Sequence, residues 1–84
     1  MKKIDDIIAI ACSKISDLKK MIEGSKENTQ ENRDFLMNAR KRLHKIHVSF
    51  YHNSNQDEIQ KKAEEFIKYL DEAIEFYKSY INSS

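Results

Sequence analysis

Apolar residues recur along this chain at alternating steps of three and four, the spacing of an amphipathic α-helix. Three such segments follow one another, at about residues 4–23, 29–51 and 55–81. The seam of the first consists of Ile4, Ile8, Ala11, Ile15, Leu18 and Ile22, and that of the second of Leu36, Ala39, Leu43, Ile46 and Phe50. The pattern therefore predicts an all-α protein built from three helices.

The third segment carries a wider apolar stripe than the other two and most of the aromatic residues. Its seam consists of Ala63, Phe66, Leu70, Ala73, Tyr77 and Tyr80, with Ile67, Ile74 and Ile81 on one flank and Tyr69 and Phe76 on the other. A surface helix needs an apolar stripe only a little over about 100° wide. We therefore expect this long C-terminal helix to have neighbours on two sides.

Two short polar connections separate the three segments. Gly24, the only glycine, is expected to end the first helix in the left-handed conformation. Either Asn28 or Thr29 is expected to cap the second helix, and either Ser54 or Asn55 the third. Because short connections join helices antiparallel, we predict an up-down-up, antiparallel three-helix bundle. The uncovered flank of the third helix would then be completed by dimerisation.

The composition agrees with one small folded domain that spans residues 1–84. Charged residues make up 35% of the chain, but the net charge of +1 removes the repulsion that keeps disordered chains open. Cys12 is the only cysteine, so no disulfide can form within the chain, and a lone thiol favours a reducing, cytoplasmic setting.

The N-terminal segment does not have the pattern of a targeting signal. Asp5 and Asp6 interrupt the apolar run that a secretory signal requires, so we expect no cleaved leader. No stretch approaches the roughly 20 apolar residues of a membrane span.

A basic run lies near the end of the second segment and consists of Arg40, Lys41, Arg42 and Lys45. One interpretation is nucleic-acid binding through phosphate contacts. A second is structural, because residues 26–52 have a net charge of +3 and residues 53–84 one of −3, which favours ion pairs with the acidic start of the third helix. An acidic protein partner is a third interpretation.

Other candidate chemistry in the sequence is weak. His44, His47 and His52 lack cysteine or carboxylate partners at a spacing typical of a zinc site, so we expect no metal and no cofactor. Consecutive acids such as Glu64 and Glu65 point about 100° apart on a helix and suit a solvated face better than acid–base catalysis. We therefore expect a protein that is not an enzyme.

The wide apolar face of the third helix is the candidate binding surface. The residues expected to contact a partner are Tyr69, Phe76, Tyr80 and Ile81. The expected function is protein–protein binding of the inhibitor, immunity, chaperone or adaptor type, by a homodimer. In size and helical layout the chain resembles bacteriocin immunity proteins, secretion chaperones and phage-encoded inhibitors. That resemblance implies a small bacterial or phage protein and assigns no residue roles.

Overall fold

The computed structural model describes residues 4–52 and 54–82, and it contains the three expected helices. They are α1 (Ile4–Glu23), α2 (Gln30–His52) and α3 (Gln56–Asn82). Each end lies within one residue of its predicted position. No strand occurs in the described ranges, so the prediction of an all-α fold is confirmed. No helix in these ranges combines the length and hydropathy needed to span a membrane.

The cap of α2 is Thr29 rather than Asn28. Its Oγ1 accepts a hydrogen bond from the backbone N–H of Asn32 at 3.2 Å. Its carbonyl oxygen accepts the first helical bond from the N–H of Arg33, at 3.0 Å. The side chain thereby satisfies one of the N–H groups that a helix start leaves without a partner.

The prediction of a left-handed Gly24 is wrong, because this glycine does not have a positive φ. Its N–H donates to the carbonyl of Lys20 at 3.1 Å, which continues the hydrogen-bond pattern of α1 by one residue. The helix is closed instead by Ser25, whose N–H and hydroxyl both donate to the carbonyl of Ile22, at 3.2 and 3.0 Å. A serine that binds the last turn replaces the expected glycine cap.

α1 is the helix around which the other two pack. Its contacts with α3 are the most extensive and those with α2 come next, whereas α2 and α3 contact each other least. Its buried residues are Ile4, Ile7, Ile8, Ala11, Ile15, Leu18 and Ile22. Ile7 lay on the flank of the predicted seam, and it is buried because α1 has a neighbour on each side.

The seams of α2 and α3 are buried along the part that faces α1. The fully or nearly fully buried members are Leu36, Ala39, Leu43, Ala63, Phe66 and Leu70. Further along α3 the seam residues Ala73 and Tyr77 are half-buried and Tyr80 is exposed. The core therefore thins toward the C-terminal end of α3.

The two flanks of α3 face different helices. Ile74 and Ile81 line a surface cavity together with Met21 near the end of α1. On the opposite flank, the ring of Tyr69 lies 6.0 Å from that of Phe35 in α2. Neighbours on two sides were expected for this helix, and the structure provides them.

The central position of Leu70 makes it the sharpest test of this core. Its side chain is fully buried, so Leu70→Ala leaves a cavity and should lower the free energy of unfolding by about 2–5 kcal/mol. Leu43→Ala should fall in the same range. Urea unfolding followed by circular dichroism measures both. The exposed Met37→Ala serves as the control and should stay within about 0.5 kcal/mol of the wild type. Wild-type stability in both leucine variants would refute the seam assignment.

Candidate partner-binding surface

Aromatic rings of α2 and α3 form a continuous series of contacts that starts in the core. Phe66, which is 1% exposed, stacks on Tyr69 with the ring centroids 6.1 Å apart. Phe35 of α2 then lies between Tyr69 and Tyr77, with centroid distances of 6.0 and 6.2 Å. These separations suit favourable aromatic pairs. The contact between α2 and α3 is therefore largely aromatic at this level.

The series ends on the surface with Phe76 and Tyr80. Phe76 meets the ring of Tyr77 edge-on at 5.4 Å and stacks on Tyr80 at 6.1 Å. Phe76 is 63% exposed and Tyr80 is 52% exposed, so two large rings stand side by side in contact with solvent. Tyr77 connects them to the packed part of the molecule.

Tyr77 is held in place by a polar contact as well as by packing. Its hydroxyl donates a hydrogen bond to Oδ1 of Asn32, in the first turn of α2, at 2.6 Å. Burial raises the pKa of Tyr77 above its ordinary value, and the neighbouring Tyr69 and Glu27 raise it further. The phenol therefore remains a protonated donor at neutral pH and ties the end of α3 to the start of α2.

Helix geometry places the exposed rings on one line. Tyr69, Ala73, Phe76 and Tyr80 follow one another at steps of four, three and four, which is the spacing of a heptad seam. Tyr69, Phe76 and Tyr80 are here named the aromatic face. With about 1.5 Å of rise per residue, this face is about 17 Å long.

The four residues proposed from sequence do not all lie on this face. Phe76 and Tyr80 are in contact, and Tyr69 lies in line with them but is only 42% exposed, because Phe35 and Phe66 cover part of its ring. Ile81 is half-buried and lines a cavity with Gly24 and other residues of the α1–α2 connection. One residue of helix turns a side chain by about 100°. That rotation separates Ile81 from Tyr80.

The structure gives Arg42 a partner that the sequence did not indicate. Its guanidinium carbon lies 4.9 Å from the ring centroid of Phe66 and 5.8 Å from that of Tyr69. Both distances are within the range of a cation–π contact. Nothing in the local sequence predicts this contact, because the rings are 24 or more positions further along the chain.

The rest of the basic run is distributed around α2. Arg40 lines the space between α1 and α2, whereas Lys41 and Lys45 are exposed and line no such space. Within residues 4–52 and 54–82, no ion pair joins the run to the acidic residues at the start of α3, so the expected pairs are absent. The run therefore does not form one cationic surface.

A second polar group links the start of α1 to the end of α2. The carboxylate of Asp5 lies 3.3 Å from Nε2 of His47 and accepts a hydrogen bond from the hydroxyl of Tyr51 at 2.8 Å. That hydrogen bond is the main reason why the pKa of Tyr51 is raised above its ordinary value, with smaller contributions from burial and from the charge of Asp5. In the described part of the chain, no three potential ligands are arranged to hold a metal ion.

Comparison with known proteins gives no functional assignment. No protein-family model, no curated protein and no solved structure matches the chain. Function is therefore inferred from these surfaces alone.

The cation–π contact predicts that the cations of the basic run differ in importance. Arg42→Gln should lower the free energy of unfolding by about 0.5–1 kcal/mol, because the ring contacts are lost. Lys41→Gln is the matched control and should change it by less than about 0.5 kcal/mol. Urea denaturation measures both. Salt-sensitive binding of the wild type to generic DNA or RNA, lost when Arg40, Lys41 and Arg42 are all replaced by Gln, would instead favour nucleic-acid binding.

The Asp5 contact predicts the alkaline titration of one tyrosine. Asp5→Asn removes the charged acceptor, so the pKa of Tyr51 should fall toward its ordinary value. Because the folded-state pKa is the raised one, this hydrogen bond stabilises the protein at neutral pH, and the contribution is lost as the pH rises through that pKa. Tyrosine ring signals followed by NMR against pH measure the shift. Asp6→Asn is the control. An unchanged Tyr51 in Asp5→Asn would show that the hydrogen bond does not form in solution.

Proposed function

We propose that this protein is a non-enzymatic binding protein of the inhibitor, immunity, chaperone or adaptor type that acts through the aromatic face of α3. The observation that carries the proposal is the exposed, stacked pair of Phe76 and Tyr80. Aromatic residues are enriched at protein interfaces and dominate their binding energy. Two adjacent large rings in contact with water are consequently more typical of an interface than of a free surface.

The order of this face supports the proposal further. Contacts through Tyr77 and Phe35 connect the exposed pair to the buried Phe66, so a packed framework positions the rings before any partner arrives. A surface that is ordered in advance loses less conformational entropy on binding. Tyr80 also suits an interface because its ring is apolar and its hydroxyl can remain hydrated.

A second copy of the chain is the partner we propose. Two-fold dimers are the commonest assembly, and they need a surface that is complementary to itself. The steps of four, three and four from Tyr69 to Tyr80 would let two α3 helices pack along their length as in a coiled coil. This contact would remove both exposed rings from water.

The proposal takes residues 1–84 as one domain with up-down-up topology. The contact of Asp5 with Tyr51 supports antiparallel packing of α1 and α2, because it joins the start of one helix to the end of the other. The bond between Tyr77 and Asn32 supports the same arrangement for α2 and α3. A cytoplasmic setting belongs to the proposal and is supported by the single cysteine.

The dimer is tested with Phe76→Glu. The wild type should have the mass of a dimer at micromolar concentration by light scattering, and the variant should have the mass of a monomer with little loss of helix by circular dichroism. In a symmetric pair the new carboxylates would face an apolar surface close to Glu72 of each copy, and the repulsion would oppose association. Val48→Glu, at an exposed residue of α2, is the matched control and should remain a dimer.

A monomer mass for the wild type across the micromolar range would refute self-association. The aromatic face would then be tested with a different protein partner, again with Phe76→Glu and Val48→Glu compared. A dimer that survives Phe76→Glu would place the interface elsewhere.

A further inference from the structure

A groove runs between α1 and α2 on a surface to which no function has yet been given. Two adjoining cavities form it, of about 380 and 430 Å³, and Arg40 lines both. The first lies beside the first half of α1 and the second half of α2, and the second lies beside the opposite halves. From Arg33 to His47 the groove follows α2 for about 21 Å. Such an open, elongated shape suits a helix better than a compact ligand.

The lining of the groove repeats every seven residues. On the floor, Ile8 and Ile15 of α1 are seven apart, as are Leu36 and Leu43 of α2. On the α2 rim, Arg33, Arg40 and His47 have the same spacing. Seven residues are two turns of a helix, so the groove presents similar surroundings at each step to a helix laid along it. Its lining is matched to an occupant with a heptad stripe.

The exposed lining combines apolar and cationic side chains. Met37 is 55% exposed and Cys12 is also exposed, and both lie beside the aliphatic floor. The rim carries Lys19, Arg33 and Arg40 against one acid, Glu23, which is 3.8 Å from Lys19 and offsets its charge. Arg40 forms no ion pair with any residue that the structure describes. The excess positive charge is thus concentrated along α2.

We propose that this groove binds an amphipathic helix of a partner protein, with an apolar heptad stripe on the floor and acidic side chains facing the α2 rim. The heptad lining determines the helical form, and the unpaired Arg40 between the two cavities determines the sign of the partner's charge. The bound helix would be a fourth helix beside the three of the chain. This proposal does not depend on the aromatic face, because α1 and α2 supply the groove walls.

Cys12 provides a direct readout of occupancy, because it is the only cysteine and it lines the groove. The probe is a cysteine-free designed peptide of about 21 residues, or three heptads, with leucine on the stripe and glutamate on the flanks. A matched peptide carries lysine in place of every glutamate. The rate at which Cys12 reacts with a thiol reagent is measured with and without each peptide.

The acidic peptide should slow the reaction of Cys12 in a saturable way, and the lysine peptide should not. Arg40→Glu should weaken the protection by the acidic peptide at least about tenfold and strengthen that by the lysine peptide. Lys41→Glu makes the same charge change one residue away, on the exposed surface outside the groove, and should have little effect. Phe76→Glu should leave the protection unchanged even if it dissolves the dimer.

Four results would overturn the proposal. They are no saturable protection, equal protection by both peptides, equal loss in Lys41→Glu and Arg40→Glu, and slowing of the wild-type reaction by rising protein concentration alone. The last would assign the groove to a second copy of the chain. Circular dichroism of each variant establishes that the fold is retained, so that every comparison concerns binding.

Discussion

Burial of the aliphatic face of α1 is the interaction on which the rest of this structure depends. Leu18 and Ile22 are completely buried, and the helix packs against both of the others, which contact each other much less. Burial of apolar surface is the main favourable contribution to folding, and a chain of 84 residues has little margin of stability. Without α1, the two longer helices would share only a small interface.

The limited contact between α2 and α3 explains the character of the surface beside it. Instead of interlocking aliphatic chains, this contact contains the rings of Phe35, Phe66 and Tyr69 with the guanidinium of Arg42 beside two of them. Large rings and a long cationic side chain can bridge helices that do not approach closely. The same series of rings continues along α3 until Phe76 and Tyr80 have no neighbour from α2 to cover them. The candidate interface is therefore the uncovered end of a structural contact.

The two proposed surfaces differ in shape and in charge. The aromatic face is a convex ridge on one helix and matches a similar ridge, whereas the groove between α1 and α2 is concave, apolar at its floor and basic at its rim. A small bundle with both could associate with itself on one side and hold a helix on the other, which suits an adaptor. In this arrangement the basic run has two separate roles, because Arg42 supports the fold and Arg40 is available to a partner.

The sequence by itself determined the three helices, their ends to within one residue, and most of the core. This succeeded because helix formation and capping are local, and because steps of three and four place apolar side chains on one side whatever lies opposite. It also indicated that Phe76 and Tyr80 would be exposed. The choice between Asn28 and Thr29 stayed open until the hydrogen bond from Asn32 was visible.

Only the tertiary structure decided how each helix is rotated about its axis and which flank meets which neighbour. That rotation directs Arg42 toward aromatic rings far along the chain, Arg40 toward α1, and Ile81 away from Phe76 and Tyr80. It also made α1 the centre of the bundle, although the wide stripe of α3 had suggested that helix. These outcomes depend on packing between residues distant in sequence, where several rotations bury similar apolar area and the fit of side chains selects one.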